Sequence, residues 1–219
     1  PQDLSSAYRL AIELGIARAS RGEKPLGAKI GFTNRAMWKK INASAPIWGY
    51  VWDSTCFKLS PSGSNCAKIL AFCQPRIEPE IAFRLSAPVR SSMSRGEIFD
   101  CLVSIAPAFE IVQCHARDWE LSAPFAISDA GLHGQLWLAE EIPIRNFCSS
   151  SIDLERNLSS SRVVISCHEG ESFAGSGSNV LGNPFEAFCQ FLSVLERHGI
   201  ELPLADNFVI TTGSWTDAP

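Results

Sequence analysis

The most constraining feature of this 219-residue sequence is that its apolar residues fall mainly into short runs separated by glycine, proline and serine. Such runs are typical of β-strands, which are predicted at 27–33, 57–59, 69–73, 77–85, 109–112, 136–138, 162–167 and 208–212. Apolar residues recur at helical spacing in three segments, 4–20, 95–105 and 184–198. Many short strands with few helices predict a β-rich α+β domain and not a doubly wound α/β fold.

The first and last of these helices carry recognisable end signals. Asp3 precedes the first helix, where its side chain can accept a hydrogen bond from a free backbone amide. Asn183 and Pro184 open the last helix, with proline in the first turn, and Gly199 follows its final residue. These two helices are therefore predicted with defined boundaries.

Two segments are predicted to be irregular. Residues 42–73 are rich in Pro, Gly, Ser and Trp and are expected to form loops with short strands. Residues 149–161 are rich in serine but include Ile152, Leu154 and Leu158, and we expect a surface excursion there.

Composition argues against several classes of function. The net charge is −4 and no long run of Lys or Arg is present, so neither a nucleic-acid nor a membrane partner is expected. No apolar stretch approaches the ~20 residues that cross a bilayer. The N-terminal residues lack the pattern of a secretory signal. Several of the eight cysteines lie in apolar patterns, which favours reduced thiols and a cytoplasmic location.

The segment with chemical content is Glu78-Pro79-Glu80, within a predicted strand. Residues two apart on a strand share a face, so the two carboxylates project together and repel each other unless a cation or a proton lies between them. Glu110 lies in a similar apolar strand. Three converging carboxylates suit Mg²⁺ or Mn²⁺, which prefer oxygen ligands. The alternative is that Glu78 and Glu80 lie on the solvent-exposed face of an amphipathic strand.

Seven stretches along the chain resemble, in order, the 2-keto-4-pentenoate hydratase family within the fumarylacetoacetate hydrolase superfamily. They cover 27–33, 45–49, 78–83, 109–112, 128–134, 181–184 and 209–213. The resemblance implies a mixed, curled β-sheet or barrel with peripheral helices, in a protein that forms homo-oligomers.

The resemblance also implies site residues. The metal ligands would be Glu78, Glu80 and Glu110, and the catalytic residues Lys29 and Asp53. The substrate-binding residues would be Thr33, Asp129 and Thr212. The alternative for Lys29 is a strand-end lysine that extends to water, and for Asp53 a side chain that caps a turn.

Three departures from the family pattern bear on this transfer. Phe125 and Ala130 stand where the family has an Asp and an Asn near Asp129. Ala205-Asp206-Asn207 stands where the family has a glycine-aspartate turn before the last strand. The chain ends at Pro219, where family members continue. We therefore expect a single catalytic domain over 1–219, with the N-terminal helical segment 1–25 packed on it and the C-terminal end truncated.

The activity implied by the resemblance is metal-dependent hydration of a small 2-hydroxy-2,4-dienoate or 2-oxo-enoic acid, with the metal stabilising an enolate. A decarboxylase resembling 4-oxalocrotonate decarboxylase, or an acylpyruvate C–C hydrolase, would use the same metal site. The alternative outside enzymes is a catalytically weak partner subunit of such an enzyme.

Overall fold

The computed structural model of the protein describes residues 3–63, 65–168, 170–204 and 206–219. The helices in these ranges are α1 (Leu4–Ser20), α2 (Arg35–Ile41), α3 (Arg95–Asp100), α4 (Ala123–Ser128), α5 (Ile144–Phe147), α6 (Ser151–Ser160) and α7 (Pro184–Arg197). The strands are β1 (Pro25–Gly31), β2 (Ile47–Trp52), β3 (Cys56–Lys58), β4 (Arg76–Leu85), β5 (Leu102–Val112), β6 (His133–Leu138), β7 (Ile142–Pro143), β8 (Arg162–Ser166), β9 (Ser172–Ser176) and β10 (Val209–Thr211).

Eight of these strands form one mixed sheet. Its order is β2-β1-β10-β4-β5-β6-β3, and the short strand β7 pairs with β5 off this path. The β1–β10 and β3–β6 pairs are parallel, whereas the other pairs are antiparallel. Strands β8 and β9 form a separate antiparallel hairpin. The predicted β-rich α+β architecture is therefore confirmed.

The two faces of the main sheet differ in what they bury. Along β4, Phe83 and Leu85 belong to the large core that packs beneath the helices. Ala82 points to the opposite, inner face, where it joins a small apolar cluster with residues of β2, β5, β6 and β10. Because side chains alternate along a strand, Glu78 and Glu80 share the inner face with Ala82.

Helix α7 covers the outer face with a row of aromatic side chains. Phe185 and Phe188 lie 6.2 and 6.1 Å from Phe83, measured between ring centroids, and Phe191 lies 6.3 Å from Trp48. Its N-cap is the predicted asparagine, whose side chain accepts a hydrogen bond from the amide of the third helical residue at 2.8 Å. The helix predicted over 184–198 is thus confirmed.

Helix α1 also has its predicted bounds, and Asp3 caps it by accepting a hydrogen bond from the amide of Ser6 at 2.9 Å. The helix packs against α4, and Tyr8 stacks on Trp48 with 5.8 Å between ring centroids. Among the described helices, none is both long and apolar enough for a membrane span.

Several sequence-based boundaries were wrong. The segment 95–105 is helical only to Asp100, and β5 already begins at Leu102. Apolar residues on a short helix followed by a buried strand mimic one longer helical pattern. Residues 69–73 form turns instead of a strand. Helix α2 and strand β2 were not predicted.

The predicted surface excursion at 149–161 is helix α6. The Ser150 side chain accepts a hydrogen bond from the amide of Asp153 at 3.1 Å, which caps the helix. Leu154 and Leu158 lie four residues apart on one helical face, and both are buried in the core. The serine content therefore reflects capping and a solvent-facing side, and not an irregular loop.

We expect Leu154→Ala to lower the free energy of unfolding by about 2–5 kcal/mol, because it removes a fully buried side chain. Ile152→Ala, on the same helix but 74% exposed, is the matched control and should change it by less than about 0.5 kcal/mol. Urea unfolding followed by circular dichroism measures both. Equal effects of the two substitutions would contradict the burial of this face.

Candidate metal centre

Three glutamates converge on the inner face of the sheet. The antiparallel register of β4 and β5 places Glu78 directly opposite Glu110, and Glu80 lies two residues along the same face. One carboxylate oxygen from each lies within 4.8 Å of the others. Glu80 and Glu110 are buried, whereas Glu78 keeps part of its surface accessible. The predicted cluster is therefore brought together, with Glu78 as its least buried member.

Lys29 reaches this cluster from β1. Its side chain is buried, its Nζ lies 3.0 Å from Oε2 of Glu110, and it donates a hydrogen bond to the Gly131 carbonyl at 3.0 Å. The alternative of a lysine extending to water does not describe this position. Lys29 is a buried cation paired with one of the three carboxylates.

The oxygens of Glu80 show why a cation suits this cluster. Oε2 accepts a hydrogen bond from the backbone amide of Gly213 at 2.9 Å. Within the described part of the chain, buried Oε1 of Glu80 has no hydrogen-bond partner, and the same is true of the buried hydroxyl of Thr211. Buried polar atoms are normally paired. An all-oxygen set with an unpaired carboxylate oxygen fits a hard divalent cation such as Mg²⁺ or Mn²⁺.

Charge and burial shift the ionisation of the cluster. Burial, with repulsion from Glu110, raises the pKa of Glu78 to about 7, against the opposing attraction of Lys29. Burial and the neighbouring carboxylates hold the pKa of Glu80 well above its usual range. Burial opposes ionisation of Glu110 too, but Lys29 and His133 prevail and its pKa is lowered. Burial likewise disfavours the Lys29 ammonium, yet the three glutamates raise its pKa.

Sequence reasoning missed a histidine that contacts the cluster. Nδ1 of His133 lies 2.7 Å from Oε1 of Glu110, and its Nε2 lies 2.9 Å from the Thr55 hydroxyl. His133 lies within the family-like stretch 128–134, but no role was predicted for it. A buried histidine directly after a 3-10 turn carries little signal in the sequence, because its contact with Glu110 depends on a strand register that the sequence does not reveal.

The three predicted substrate-binding residues lie in different settings. Thr212 is fully buried, and its hydroxyl donates to the Ile81 carbonyl at 2.9 Å. Thr33 is also buried. Its side chain lies so close to Gly213 that a Cβ on residue 213 would collide with the Thr33 hydroxyl. Asp129 instead accepts hydrogen bonds from His115, one from Nδ1 at 2.7 Å and one from the backbone amide at 3.1 Å. Substrate contact by these residues stays a prediction.

Asp53 lies outside the cluster. It is exposed, and its carboxylate accepts a hydrogen bond from the amide of Lys24 at 3.0 Å. Lys29 pairs with Gly49 across strands β1 and β2. Asp53 lies four residues beyond Gly49, a distance of about 13 Å along an extended strand. These contacts are those of the turn-capping alternative, and the catalytic role of Asp53 stays a prediction.

Phe125 and Ala130, the departures from the family pattern near Asp129, contribute no polar side chain to the site. Phe125 is half-buried on α4 and packs against the large core. Ala130 has a left-handed backbone (φ 54°) and precedes Gly131, whose carbonyl accepts the Lys29 hydrogen bond. The turn therefore contributes a backbone acceptor to the site.

A curled mixed sheet with three inward-facing carboxylates and a buried lysine is an arrangement suited to a divalent-metal protein. Comparison with known proteins shows which enzymes the chain is similar to. No protein-family model matches the chain. The 2-hydroxyhexa-2,4-dienoate hydratase of Comamonas testosteroni is 27% identical over 96% of this chain and 76% of its own length. A 4-oxalocrotonate decarboxylase from a Pseudomonas species is 28% identical over 83% and 66%. A 2-keto-4-pentenoate hydratase of Paraburkholderia phymatum is 24% identical over 97% and 76%.

Solved structures agree on the fold. The 4-oxalocrotonate decarboxylase of Pseudomonas putida G7, complexed with magnesium and adipate, matches 99% of this chain and 77% of its own with a TM-score of 0.80 and 21% identity. A yeast fumarylacetoacetate hydrolase family protein matches 88% of this chain and 81% of its own with a TM-score of 0.57 and 18% identity. The resemblance seen in the sequence is thereby confirmed: the chain is similar to these hydratases and decarboxylases and has the fumarylacetoacetate hydrolase fold.

The raised pKa of Glu78 gives a testable pH dependence. A carboxyl group whose pKa is higher in the folded than in the unfolded chain contributes stability below pH 4.5, which is lost as pH rises through about 7. In chelator-treated protein, Glu78→Gln should therefore reduce the loss of stability across this window by about 1–3 kcal/mol. Glu13→Gln, at an exposed position of α1, is the control with the same change of charge. Urea unfolding at several pH values measures the slopes, and identical slopes for wild type and Glu78→Gln would contradict the assignment.

Proposed function

We propose that the protein is a Mg²⁺- or Mn²⁺-dependent lyase that hydrates a small 2-hydroxy-2,4-dienoate or related 2-oxo-enoic acid. The observation that carries this proposal is the convergence of Glu78, Glu80 and Glu110 around one point beside buried Lys29. The names of the relatives support the substrate class, since hydratases of dienoates and ketopentenoates align with almost the whole chain.

Glu78, Glu80 and Glu110 would hold the metal. Magnesium in the decarboxylase of the same fold supports this choice of ion. The bound ion would supply a Lewis acid that stabilises negative charge developing on the oxygen of a 2-oxo acid. Glu78 is the least buried of the three, so a small acid would approach the cluster from its side.

Lys29 holds a proton at Nζ. Because three carboxylates raise its pKa, it enters the reaction as an ammonium and not as a free base. A fixed ammonium can offset enolate charge and can donate a proton to carbon as the dienol becomes an enone. Its hydrogen bond to the Gly131 carbonyl and its pairing with Glu110 fix the direction in which that proton lies.

Hydration also requires water to add to the far end of the enone. The sequence-based candidate for the base is Asp53, and nothing in its observed contacts draws it to the cluster. Asp53 therefore stays the predicted base for this step, and no other residue is assigned that role. No nucleophile-elbow sequence is present in the chain, so the proposal contains no covalent acyl step.

A decarboxylase is the second candidate. It is favoured by the 4-oxalocrotonate decarboxylase that is 28% identical to the chain. Loss of CO₂ from a vinylogous oxo acid sends electrons toward the same oxygen, so the same cluster serves both reactions. The two reactions differ in whether water or CO₂ crosses the site, and this difference can be measured directly.

The purified protein should consume a 2-hydroxy-2,4-dienoate in the presence of Mg²⁺ or Mn²⁺ and give a hydrated 4-hydroxy-2-oxo acid. Loss of dienol absorbance, product analysis and CO₂ release are followed with the dienoate and with an oxalocrotonate-type diacid in separate reactions. Addition of EDTA should abolish the change, and added metal should restore it.

Each other outcome has a defined meaning. Carbon dioxide from the diacid, without a hydrated product from the dienoate, would replace hydration by decarboxylation. An absence of metal-dependent change with either substrate would favour the catalytically weak partner subunit. In that case an active homologue supplied alongside should gain stability or rate from the protein.

Lys29→Met should lower turnover by roughly two to four orders of magnitude, the usual effect of losing an acid–base group. It also leaves Glu110 without its cation, and the metal-free variant should lose about 3–5 kcal/mol of stability. Turnover is therefore compared at saturating Mn²⁺, below the melting temperatures of both proteins. Lys39→Met, at an exposed position of α2, is the control. Wild-type turnover in Lys29→Met would make Lys29 a structural residue only.

The remaining predictions about context are also proposals. We propose one catalytic domain whose N-terminal segment 1–25, of which residues 1 and 2 lie outside the described ranges, packs on the sheet domain, as the contact of α1 with α4 supports. Each of the eight cysteines is a free thiol in the structure, which supports the proposed cytoplasmic location. Exposed Leu14 and Ile16 on α1 support assembly into a homo-oligomer.

A further inference from the structure

A β-bulge aims His133 at the candidate metal centre. Strands β5 and β6 pair regularly from Ala108 to Ile111, but the register then shifts, so that Val112 faces His133 instead of Gly134. Without the shift, alternation would place His133 on the outer face, away from Glu110. A bulge changes the direction of a side chain in this way.

Gly134 allows this bulge to form. A Cβ at position 134 would lie 2.6 Å from the carbonyl oxygen of Ile111, closer than real Cβ contacts. A residue with a side chain would therefore push the two strands apart at this point. The glycine lets the β6 backbone approach β5 and brings the preceding histidine onto the inner face.

The His133 ring is held on both sides. Its side chain is almost fully buried, and Nδ1 lies 2.7 Å from Oε1 of Glu110. Because an ionised carboxylate only accepts hydrogen bonds, Nδ1 must carry the proton in this contact. Nε2 lies 2.9 Å from the Thr55 hydroxyl, and that oxygen accepts a hydrogen bond from the amide of Trp52 at 3.1 Å. Thr55 is thus anchored to the backbone at the end of β2.

Both oxygens of Glu110 consequently face a donor. His133 binds Oε1, and the Lys29 ammonium lies 3.0 Å from Oε2. The Lys29 contact alone would leave the carboxylate free to rotate about its last bond. A hydrogen bond from β6 and an ion pair with β1 restrict it to one orientation beside Glu78 and Glu80.

We propose that His133, anchored by Thr55, is a positioning residue that orients Glu110 for the divalent cation. The proposal rests on the metal site of the proposed function and adds a residue to it. Groups that hydrogen-bond to a metal ligand commonly change metal affinity by about 10–100-fold when they are removed. His133 acts on the cation through Glu110 and is not assigned a contact with the substrate.

The test measures Mn²⁺ binding to the full chain by calorimetry, without substrate. His133→Leu removes both ring nitrogens. His133→Asn keeps an N–H near the position of Nδ1 and loses the link to Thr55. Thr55→Val removes only the hydroxyl anchor. His198→Asn, at the C-cap of α7, where the ring lies 4.8 Å from that of Tyr8, is the control.

His133→Leu should weaken Mn²⁺ binding about 10–100-fold, whereas His133→Asn should recover most of that loss and Thr55→Val should weaken binding by less than about tenfold. His198→Asn should bind as the wild type does. Melting temperatures of the metal-free variants identify any general loss of structure. Because binding is measured below all of them, a purely structural role for His133 would leave the dissociation constant unchanged.

Wild-type affinity in a folded His133→Leu protein overturns the positioning role and leaves the metal site intact. Equal weakening in His133→Leu and His133→Asn also overturns it, because the retained N–H would then have no effect. Failure of the wild-type protein to bind Mn²⁺ removes the metal site of the proposed function, and the positioning role with it.

Discussion

The ion pair between Lys29 and Glu110 joins two strands that only a curled sheet brings together, and the candidate site is built around it. Strands β1 and β5 are not neighbours, because β10 and β4 lie between them. In a flat sheet, three steps of about 4.8 Å would separate two such side chains by about 14 Å. The observed distance from Nζ to Oε2 is 3.0 Å. The sheet is therefore curled, and both charges are buried on its inner face.

The acidic part of the site could be predicted because it depends on local geometry. Alternation along one strand places Glu78 and Glu80 on one face, and a neighbouring antiparallel strand can then bring Glu110 opposite them. The helices with clear caps, α1 and α7, were likewise predicted closely. Spacing alone left two alternatives for the glutamates, a metal site and a solvent-exposed face. The resemblance to a known family favoured the metal site.

The parts that sequence reasoning missed depend on long-range register or on context. Helix α6 has a serine-rich surface, and only burial of Leu154 and Leu158 separates it from a loop. The contact of His133 with Glu110 requires a bulge in the pairing of β5 with β6, and no local pattern encodes that shift. Asp53 lies in an exposed turn, and its predicted catalytic role depends on contacts with a substrate that the turn itself does not reveal.

The charge balance of the interior links stability to function. Three carboxylates face one ammonium, so full ionisation would leave an excess of negative charge in a poorly hydrated space. Burial and mutual repulsion raise the pKa values of Glu78 and Glu80, so these carboxyls hold protons to higher pH than ordinary glutamates do. A divalent ion would replace those protons, and its binding free energy would add to the stability of the folded state. The carboxylates that destabilise the metal-free fold are thus the same groups that would make the metal-bound fold stable.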